Sequence, residues 1–252
     1  MTKTIFAEKA TKYSEGRLGY APEAIEKIFS SFIKPGEAAA DIGSGTGIVS
    51  GEFLKRGIDV YCVEPDDNMR RKAEETFSGN NHFHSLAARA ESTGLPQGSV
   101  KLIVAASSFH WFDHMAFRRE CSRLLQTGGI VSIMINARLY DNDLTLRQHE
   151  ICLEYCPRYR SLCHGLDETI EKIPEFFGYK PEHTEYSFPL CYTKQGFLAR
   201  CLSSSYSLVP SDENYLSYVN KLQSLIEEYS TDGKIYLANN THMFSGPLQV
   251  KD

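Results

Sequence analysis

The sequence has few of the features that direct a chain to a membrane or to a nucleic acid. It contains no apolar run of about 18 residues or more, the length that predicts a transmembrane helix. The N-terminal stretch MTKTIFAEKATKYSEGR lacks the apolar core of a signal peptide. The formal net charge is −5, so no global basic field would attract a polyanion. We therefore expect a cytoplasmic protein with no membrane partner and no nucleic-acid partner.

The sequence also lacks paired C-x-x-C motifs, internal repeats and low-complexity tracts. Its seven cysteines are an odd number, which favours reduced, buried thiols over a disulfide framework. Two groups resemble metal ligands at first sight: His82 with His84, and Cys152, Cys156, Cys163 with His164. The first has no third ligand nearby in sequence, and the second lacks the paired knuckles of a zinc site. We predict no metal, with Cys152 and Cys156 as core thiols on one helix face.

A glycine-rich stretch, AAADIGSGTGIVS at residues 38–50, organises the rest of the chain. It reads as the end of a strand closed by Asp41, a turn containing Gly43, Gly45 and Gly47, and the start of a helix. Glycines are used where the backbone takes unusual dihedrals or approaches a ligand closely. The spacing G-x-G-x-G differs from the G-x-G-x-x-G of dinucleotide sites. A carboxylate beside the glycines would repel a pyrophosphate and attract a cation or hydroxyl groups.

Three further segments follow the glycine turn, and their distances from it in the sequence are informative. The apolar strand IDVYCVE ends in Glu64, about 20 residues after the turn, where doubly wound folds place an acid that accepts the ribose hydroxyls. Ala90 and Glu91 precede a second apolar strand, VKLIVAA at residues 100–106, which continues into SSFHWF. The segment LLQTGGIVSIMI at residues 124–135 then predicts a turn and a fifth strand.

Together these motifs resemble the class I S-adenosylmethionine (SAM) dependent methyltransferases of the small-molecule type, in particular methyltransferase type 11 and trans-aconitate methyltransferases. The resemblance implies an α/β, Rossmann-like fold with a seven-stranded mixed sheet. Its C-terminal antiparallel hairpin would be formed by residues 234–238 and 241–245, joined by Asn239 and Asn240. We predict one domain over residues 1–252, with an inserted helical cap at 136–206 that selects the substrate.

The resemblance also implies which residues bind SAM, the expected cofactor. The turn and Asp41 would hold the cofactor, Glu64 the ribose, and Met69 with the Ala90–Glu91 pair the adenine side. The N-terminal segment, with Tyr13, Arg17 and Tyr20, would cover the cofactor or would be a solvated terminus. The full set of predicted cofactor-binding residues is Tyr13, Arg17, Asp41, Gly43, Ser44, Gly45, Gly47, Glu64, Pro65, Met69, Ala90, Glu91 and Ser107.

His110 is the predicted catalytic residue. It follows the fourth strand, where ligands of open α/β sheets bind, and imidazole exchanges protons near neutral pH. Alternatively, His110 only shapes the pocket. Trp111 is expected to pack under the same loop and to wall the pocket.

The activity that this resemblance implies is methyl transfer to a small-molecule acceptor through an O, N or C atom. A carboxylic acid is one candidate, because residues 138–160 are rich in arginine, although solvated surface is the commoner explanation for any one arginine. The alternatives are a non-catalytic SAM-binding or interaction module and a nicotinamide dehydrogenase, against which the glycine spacing counts. The protein would be a monomer or a homodimer.

Local signals predict several helices and their N-terminal caps. Residues 22–32 form an apolar stripe at helical spacing. Asp67 or Asn68 is expected to cap the helix that contains Met69, and Asp113 the helix after the H-W-F segment. Asp212 is expected to cap a long helix whose inward residues are Leu216, Val219, Leu222, Leu225 and Ile226.

Overall fold

The computed structural model describes residues 19–140, 142–160 and 166–249. Tyr13, Arg17, Cys163 and His164 lie outside these ranges. The described residues divide into two compact units. The sheet unit contains residues 19–136, 166–186 and 241–249. The insert unit, which interrupts it in sequence, contains residues 137–140, 142–160 and 187–240.

The elements alternate between helix and strand over the first half of the chain. In order they are α1 (Pro22–Ser31), β1 (Ala38–Ile42), α2 (Ile48–Leu54), β2 (Asp59–Val63), α3 (Asp67–Thr76), β3 (Phe83–Leu86), β4 (Val100–Ala106), a 3₁₀ helix (Phe109–Trp111), α4 (His114–Leu124) and β5 (Leu125–Arg138). There follow α5 (Asp143–Tyr155), α6 (Leu166–Phe177), β6 (Glu182–Ser187), β7 (Leu190–Thr193), α7 (Lys194–Ser203), α8 (Tyr215–Tyr229), β8 (Lys234–Leu237) and β9 (Asn239–Gly246). None of the described helices has the length and apolar character needed to cross a bilayer.

The main sheet has seven strands in the order β3-β2-β1-β4-β5-β9-β6. The first five pair in parallel, with Asp41 opposite Cys62 on β2 and opposite Val104 on β4. Parallel strands are buried on both faces, which explains why the predicted strands are nearly continuous apolar runs. The predicted Rossmann-like α/β sheet is confirmed. Its topology brings the carboxyl ends of β1, β2 and β4 to one edge.

The core of the sheet unit lies between the sheet and its helices. Ile103 and Val131 are fully buried on neighbouring strands. An aromatic cluster packs against them, in which the Phe117 and Phe176 rings stack with centroids 5.4 Å apart. Full burial of one such side chain contributes about 1.5–3 kcal/mol.

The predicted C-terminal hairpin is wrong in its pairing. Both segments are strands, but β8 pairs antiparallel with β7, with Leu190 opposite Leu237, whereas β9 lies between β5 and β6 in the main sheet. Asn239 and Asn240 are not a turn, because β9 begins at Asn239. The alternation of apolar residues identified the strands correctly, but it carries no information about a partner more than 40 residues away.

Three local predictions need correction. Asp66, not Asp67 or Asn68, caps α3, and its carboxylate accepts hydrogen bonds from two backbone N–H groups. Asp212 lies before α8 and accepts from the Val209 N–H at 2.7 Å. Trp111 is 54% exposed and therefore does not pack under its loop. Other predictions are confirmed: α1 begins at Pro22, and Asp113 caps α4 through the Ala116 N–H at 2.9 Å.

The insert unit has its own core, formed by α5, α7, α8 and the two-stranded sheet. Tyr218 and Leu222 of α8 are fully buried in it, together with Phe197 of α7. Leu216, expected to point inward, is 73% exposed. The region predicted as a cap, residues 136–206, is divided: α6 and β6 belong to the sheet unit, and the insert unit also takes in residues 207–240.

Candidate functional site

The glycine turn connects β1 to α2 at the carboxyl edge of the sheet. The Gly43 and Ser44 N–H groups both donate to the Val63 carbonyl, at 2.8 and 3.2 Å, which fixes the turn against the end of β2. Gly43, Gly45 and Gly47 have φ values of +67°, +58° and +82°. L-residues with a Cβ rarely adopt this left-handed region, so the three glycines are required by backbone conformation.

Steric contacts distinguish these glycines from one another. A Cβ on Gly43 would lie 2.6 Å from the Cβ of Ser108, and one on Gly47 would lie 2.5 Å from a ring carbon of Phe77. Both glycines therefore allow neighbouring elements to approach the turn. A Cβ on Gly45 would meet nothing within 4 Å. The open side of the turn is therefore at Gly45.

Glu64, directly after β2, lies across this open side. Its Oε2 accepts from the Gly45 N–H at 2.9 Å and its Oε1 accepts from the Asp66 N–H at 2.8 Å. The residue is 9% exposed, and burial raises the pKa of its carboxyl above the usual value. A carboxylate offers about four acceptor positions, so two remain for further donors such as hydroxyl groups.

Asp41 lies deeper than expected for a residue that touches a ligand. It is 1% exposed, and its Oδ2 accepts from the Ser50 hydroxyl at 2.6 Å. The Ser50 oxygen in turn accepts from the Cys62 thiol at 3.0 Å. Burial raises the pKa of Asp41 to about 6, against the lowering effect of the Ser50 hydrogen bond. The structure thus places a buried acid beneath the turn.

Polar side chains at the ends of β4, β5 and β9 hold the segment before α1. The Tyr20 hydroxyl donates to Ser107 Oγ at 2.9 Å, and Ser107 has a φ of +52°. Asn136 donates to the Gly19 carbonyl at 2.9 Å and accepts from the Thr241 hydroxyl at 2.6 Å. The sequence analysis missed Asn136 and Thr241 as site residues. The only signal was the position of Asn136 at the end of an apolar run.

The other predicted cofactor residues are distributed around this edge. Met69 and Ala90 are buried, at 5% exposure each, and Pro65 is exposed. The Glu91 carboxylate accepts from the Asp113 N–H at 2.9 Å. The Ser44 hydroxyl is buried and has no hydrogen-bond partner among the described residues. Their roles in binding stay predictions.

His110 lies in the 3₁₀ helix that follows β4. Its side chain is exposed, and its ring lies beside that of Trp111 with centroids 4.8 Å apart. This position is three residues beyond Ser107, on the loop that leaves the same sheet edge. The catalytic role of His110 stays a prediction.

A cleft of about 160 Å³ opens beside the turn, between α1 and α2. Tyr20, Ile25, Ile48 and Val49 line its apolar part, and Glu26, Glu52 and Arg56 line its polar part. Gly43, Gly45, Gly47, Asp41 and Glu64 are not among the residues that line this cleft. The sheet unit therefore combines a glycine turn and two buried acids at the carboxyl edge of parallel strands, which is where ligands of open α/β sheets bind.

Comparison with known proteins agrees with this geometry. The sequence model of a family described as "methyltransferase domain" matches residues 40–133, which run from β1 to β5. Residues 40–133 of this chain therefore match a methyltransferase domain, and the sheet around them has the fold of class I methyltransferases. SAM is the methyl donor of that class.

The relatives include a putative methyltransferase of Dictyostelium discoideum, 34% identical over 128 residues, which cover 51% of this chain and 47% of that protein. An uncharacterized methyltransferase of Mycobacterium tuberculosis is 29% identical over 137 residues, which cover 53% of this chain and 52% of the relative. The chain thus spans about half the length of these curated relatives.

Solved structures show the same fold over most of the chain. A putative methyltransferase from an antibiotic biosynthesis pathway of Anabaena variabilis superposes with a TM-score of 0.60 at 20% identity, covering 88% of this chain and 96% of that one. The methyltransferase domain therefore lies within a fold shared well beyond residues 40–133.

The residues present fit SAM. Gly45 leaves the space that a Cβ would fill, Glu64 retains free acceptor positions beside it, and the buried Ser44 oxygen lacks a described partner. A ligand with hydroxyl and ammonium donors suits this set of acceptors.

Proposed function

We propose that this protein transfers a methyl group from SAM to a small-molecule acceptor. The observation that carries the proposal is the buried Glu64 carboxylate, which is bonded to the Gly45 N–H on the open side of the turn. A buried carboxylate with a raised pKa and unused acceptor positions is costly unless a ligand uses it. The domain match over residues 40–133 supports the same conclusion.

When bound, SAM supplies the methyl group of its sulfonium, and the leaving group is a neutral thioether. The chain's own residues hold and orient the reactants. Glu64 would accept hydrogen bonds from the ribose hydroxyls, and the buried Asp41 would place negative charge beneath the turn, where it would attract a cationic ligand. Well-oriented reactants gain roughly 7–11 kcal/mol over free ones, so positioning supplies much of the rate.

A general base is needed only when the acceptor carries a proton that must leave. A carboxylate acceptor needs none, whereas a phenol or an amine does. His110 is the candidate base for that second case, because it is exposed on the loop after β4. The dependence of the rate on pH separates the two cases: an essential imidazole base gives a rate that falls as pH drops through its pKa.

Titration calorimetry with SAM and with S-adenosylhomocysteine tests the cofactor assignment. Glu64→Gln removes the charge at nearly constant shape, and we expect SAM to bind about 10- to 100-fold more weakly, because hydrogen bonds to a charged group are worth about 1.5–3 kcal/mol. Glu75→Gln, an exposed position on α3, is the matched control. Equal affinity in both variants would remove the assignment of Glu64.

Release of S-adenosylhomocysteine in the presence of candidate acceptors tests the activity. Small acids, phenols and amines should be screened with the wild-type protein, and turnover with any of them supports the proposal. Tight binding of SAM without turnover across all three classes would favour the alternative, a SAM-binding module without catalysis. Absence of SAM binding by the folded protein would overturn both.

A further inference from the structure

The insert unit contains a cation whose described partners are all neutral. Arg138, the last residue of β5, donates from Nη1 to Gln148 Oε1 at 3.1 Å and from Nη2 to the Tyr206 hydroxyl at 3.5 Å. The ion pairs of this unit lie elsewhere: Arg147 with Glu150 and Glu228, and Lys194 with Glu227. None of the ion pairs between described residues involves Arg138.

The groups that hold Arg138 are themselves fixed. Gln148 is 1% exposed, and its amide Nε2 donates to the Cys201 sulfur at 3.3 Å, which leaves its oxygen facing the guanidinium. The Tyr206 ring packs edge-on against Tyr159, with centroids 4.8 Å apart. The Tyr159 hydroxyl lies 2.9 Å from His149 Nδ1. Arg138 is therefore oriented by buried or packed side chains.

The described residues of this cluster supply no anion. Burial raises the pKa of the Cys201 thiol and also that of the Tyr159 hydroxyl, so both are neutral at pH 7. A partly buried cation without a counter-charge costs free energy. With the described residues, Arg138 uses two of the five N–H donors of a guanidinium, and the bond to Tyr206 is long, at 3.5 Å.

We propose that Arg138 binds the carboxylate group of a small-molecule ligand within the insert unit. The planar fork of N–H groups matches the two oxygens of a carboxylate. A single guanidinium balances one negative charge, which favours a carboxylate over a doubly charged phosphate. Gln148 and Tyr206 are positioning residues, because they act through Arg138.

A binding experiment tests this site without knowledge of the natural ligand. The melting temperature of the full chain is measured in increasing sodium acetate, with acetamide as the neutral isostere and sodium chloride at equal ionic strength. We expect a saturable rise of about 3 °C at ten times the acetate Kd for the wild type, and none with acetamide. Arg138→Met should abolish the rise, whereas Arg147→Met, an exposed arginine of α5, should retain it.

A second variant keeps the test decisive should Arg138→Met fail to fold. Tyr206→Phe retains the ring and removes the hydroxyl that orients Nη2, and it should weaken the apparent acetate affinity about three- to tenfold. An equal response to acetamide, an unchanged response in Arg138→Met, or no response in the wild type would each overturn the proposal.

Discussion

The glycine turn of the sheet unit and the core of the insert unit bury ionisable groups of opposite sign. At the glycine turn of the sheet unit these groups are the carboxyls of Asp41 and Glu64, whose pKa values burial raises. In the insert unit they are guanidinium groups: Arg138 has neutral partners, and Arg200 is 8% exposed with its guanidinium 5.9 Å from the centre of the Tyr192 ring. The glycine turn thus suits a cationic ligand, and the surroundings of Arg138 suit an anionic one.

A third carboxyl shows what a buried acid with a purely structural role looks like. Glu120 of α4 receives hydrogen bonds from Arg123 at 2.7 Å and from the Thr93 hydroxyl at 2.6 Å. The Arg123 guanidinium lowers the pKa of Glu120 to about 2. Asp41 and Glu64 have no such ion pair among the described residues, and their pKa values move the other way. Carboxyls whose pKa values are raised by burial are candidates for a ligand site.

The largest expected effect tests whether the two units are thermodynamically separate. Leu222→Ala removes a fully buried side chain from the insert core and should lower the free energy of unfolding by about 3–5 kcal/mol. Leu216→Ala on the same helix, at a 73% exposed position, should cost less than about 0.5 kcal/mol. Urea denaturation measures both.

SAM titration of the Leu222→Ala variant sharpens the comparison. Unchanged affinity would show that the sheet unit keeps its site when the insert core is weakened. A loss of SAM affinity parallel to the loss of stability would instead show that one cooperative core supports both units.

The second effect concerns the close approach at the turn. Gly43→Ala adds a Cβ 2.6 Å from that of Ser108 at a φ of +67°, so overpacking and backbone strain together should cost about 3 kcal/mol. Gly79→Ala has a similar φ of +80° but open space around its Cβ, and should cost only about 1 kcal/mol. Equal unfolding free energies for the two variants would show that the contact with Ser108 does not matter.

Sequence patterns located the sheet unit better than the insert unit, for a physical reason. The glycine turn, the acid after β2 and the apolar strands are local signals, because φ > 0 demands glycine and burial on both faces demands continuous apolar runs. In the insert unit, β8 pairs with β7, which lies more than 40 residues earlier in the chain. No local signal encodes such a contact.

The candidate site shows the same division. Gly45 and Glu64 were predicted from spacing, and the structure places them 2.9 Å apart, N to Oε2. The depth of Asp41 was not predictable, because its partner Ser50 lies on the next helix and has no special sequence context. Arg138 was one of several arginines in the sequence, and only its contacts with Gln148 and Tyr206 single it out.

The third effect concerns the charge of Asp41. Its pKa of about 6 exceeds the model-peptide value of 3.8, so its contribution to stability is fully present below pH 3.8 and is lost as pH rises through about 6. At pH 7 this costs roughly 3 kcal/mol. Asp41→Asn should therefore be about 2 kcal/mol more stable at pH 7, after about 1 kcal/mol is lost from the bond with Ser50. The difference should shrink as pH falls and reverse below about pH 4, where the wild type keeps the bond with Ser50 without the cost of a buried charge.

SAM affinity tests whether the buried Asp41 charge, which lowers stability at pH 7, contributes to ligand binding. We expect the more stable Asp41→Asn variant to bind SAM about tenfold more weakly, because it lacks the negative charge beneath the turn. A variant that gains stability and keeps full SAM affinity would show that the Asp41 charge contributes neither to stability nor to SAM binding. Glu64 alone would then define the acidic character of the site.

The smallest effect comes from exposed charges far from the turn. Asp59 accepts from His82 and His84 at 3.2 and 3.3 Å, and the His84 hydrogen bond lowers its pKa. A lowered pKa stabilises the fold above the model-peptide value of 3.8, and that stability is lost as pH falls. Because all three side chains are more than a third exposed, Asp59→Asn should cost only about 0.5 kcal/mol at pH 6.

High salt should remove even this difference in urea denaturation, whereas the Asp41 effect, which is screened little in the interior, should persist. If the effect of Asp59→Asn did not change with salt, solvent exposure would not explain the difference between the Asp59 and Asp41 carboxyls.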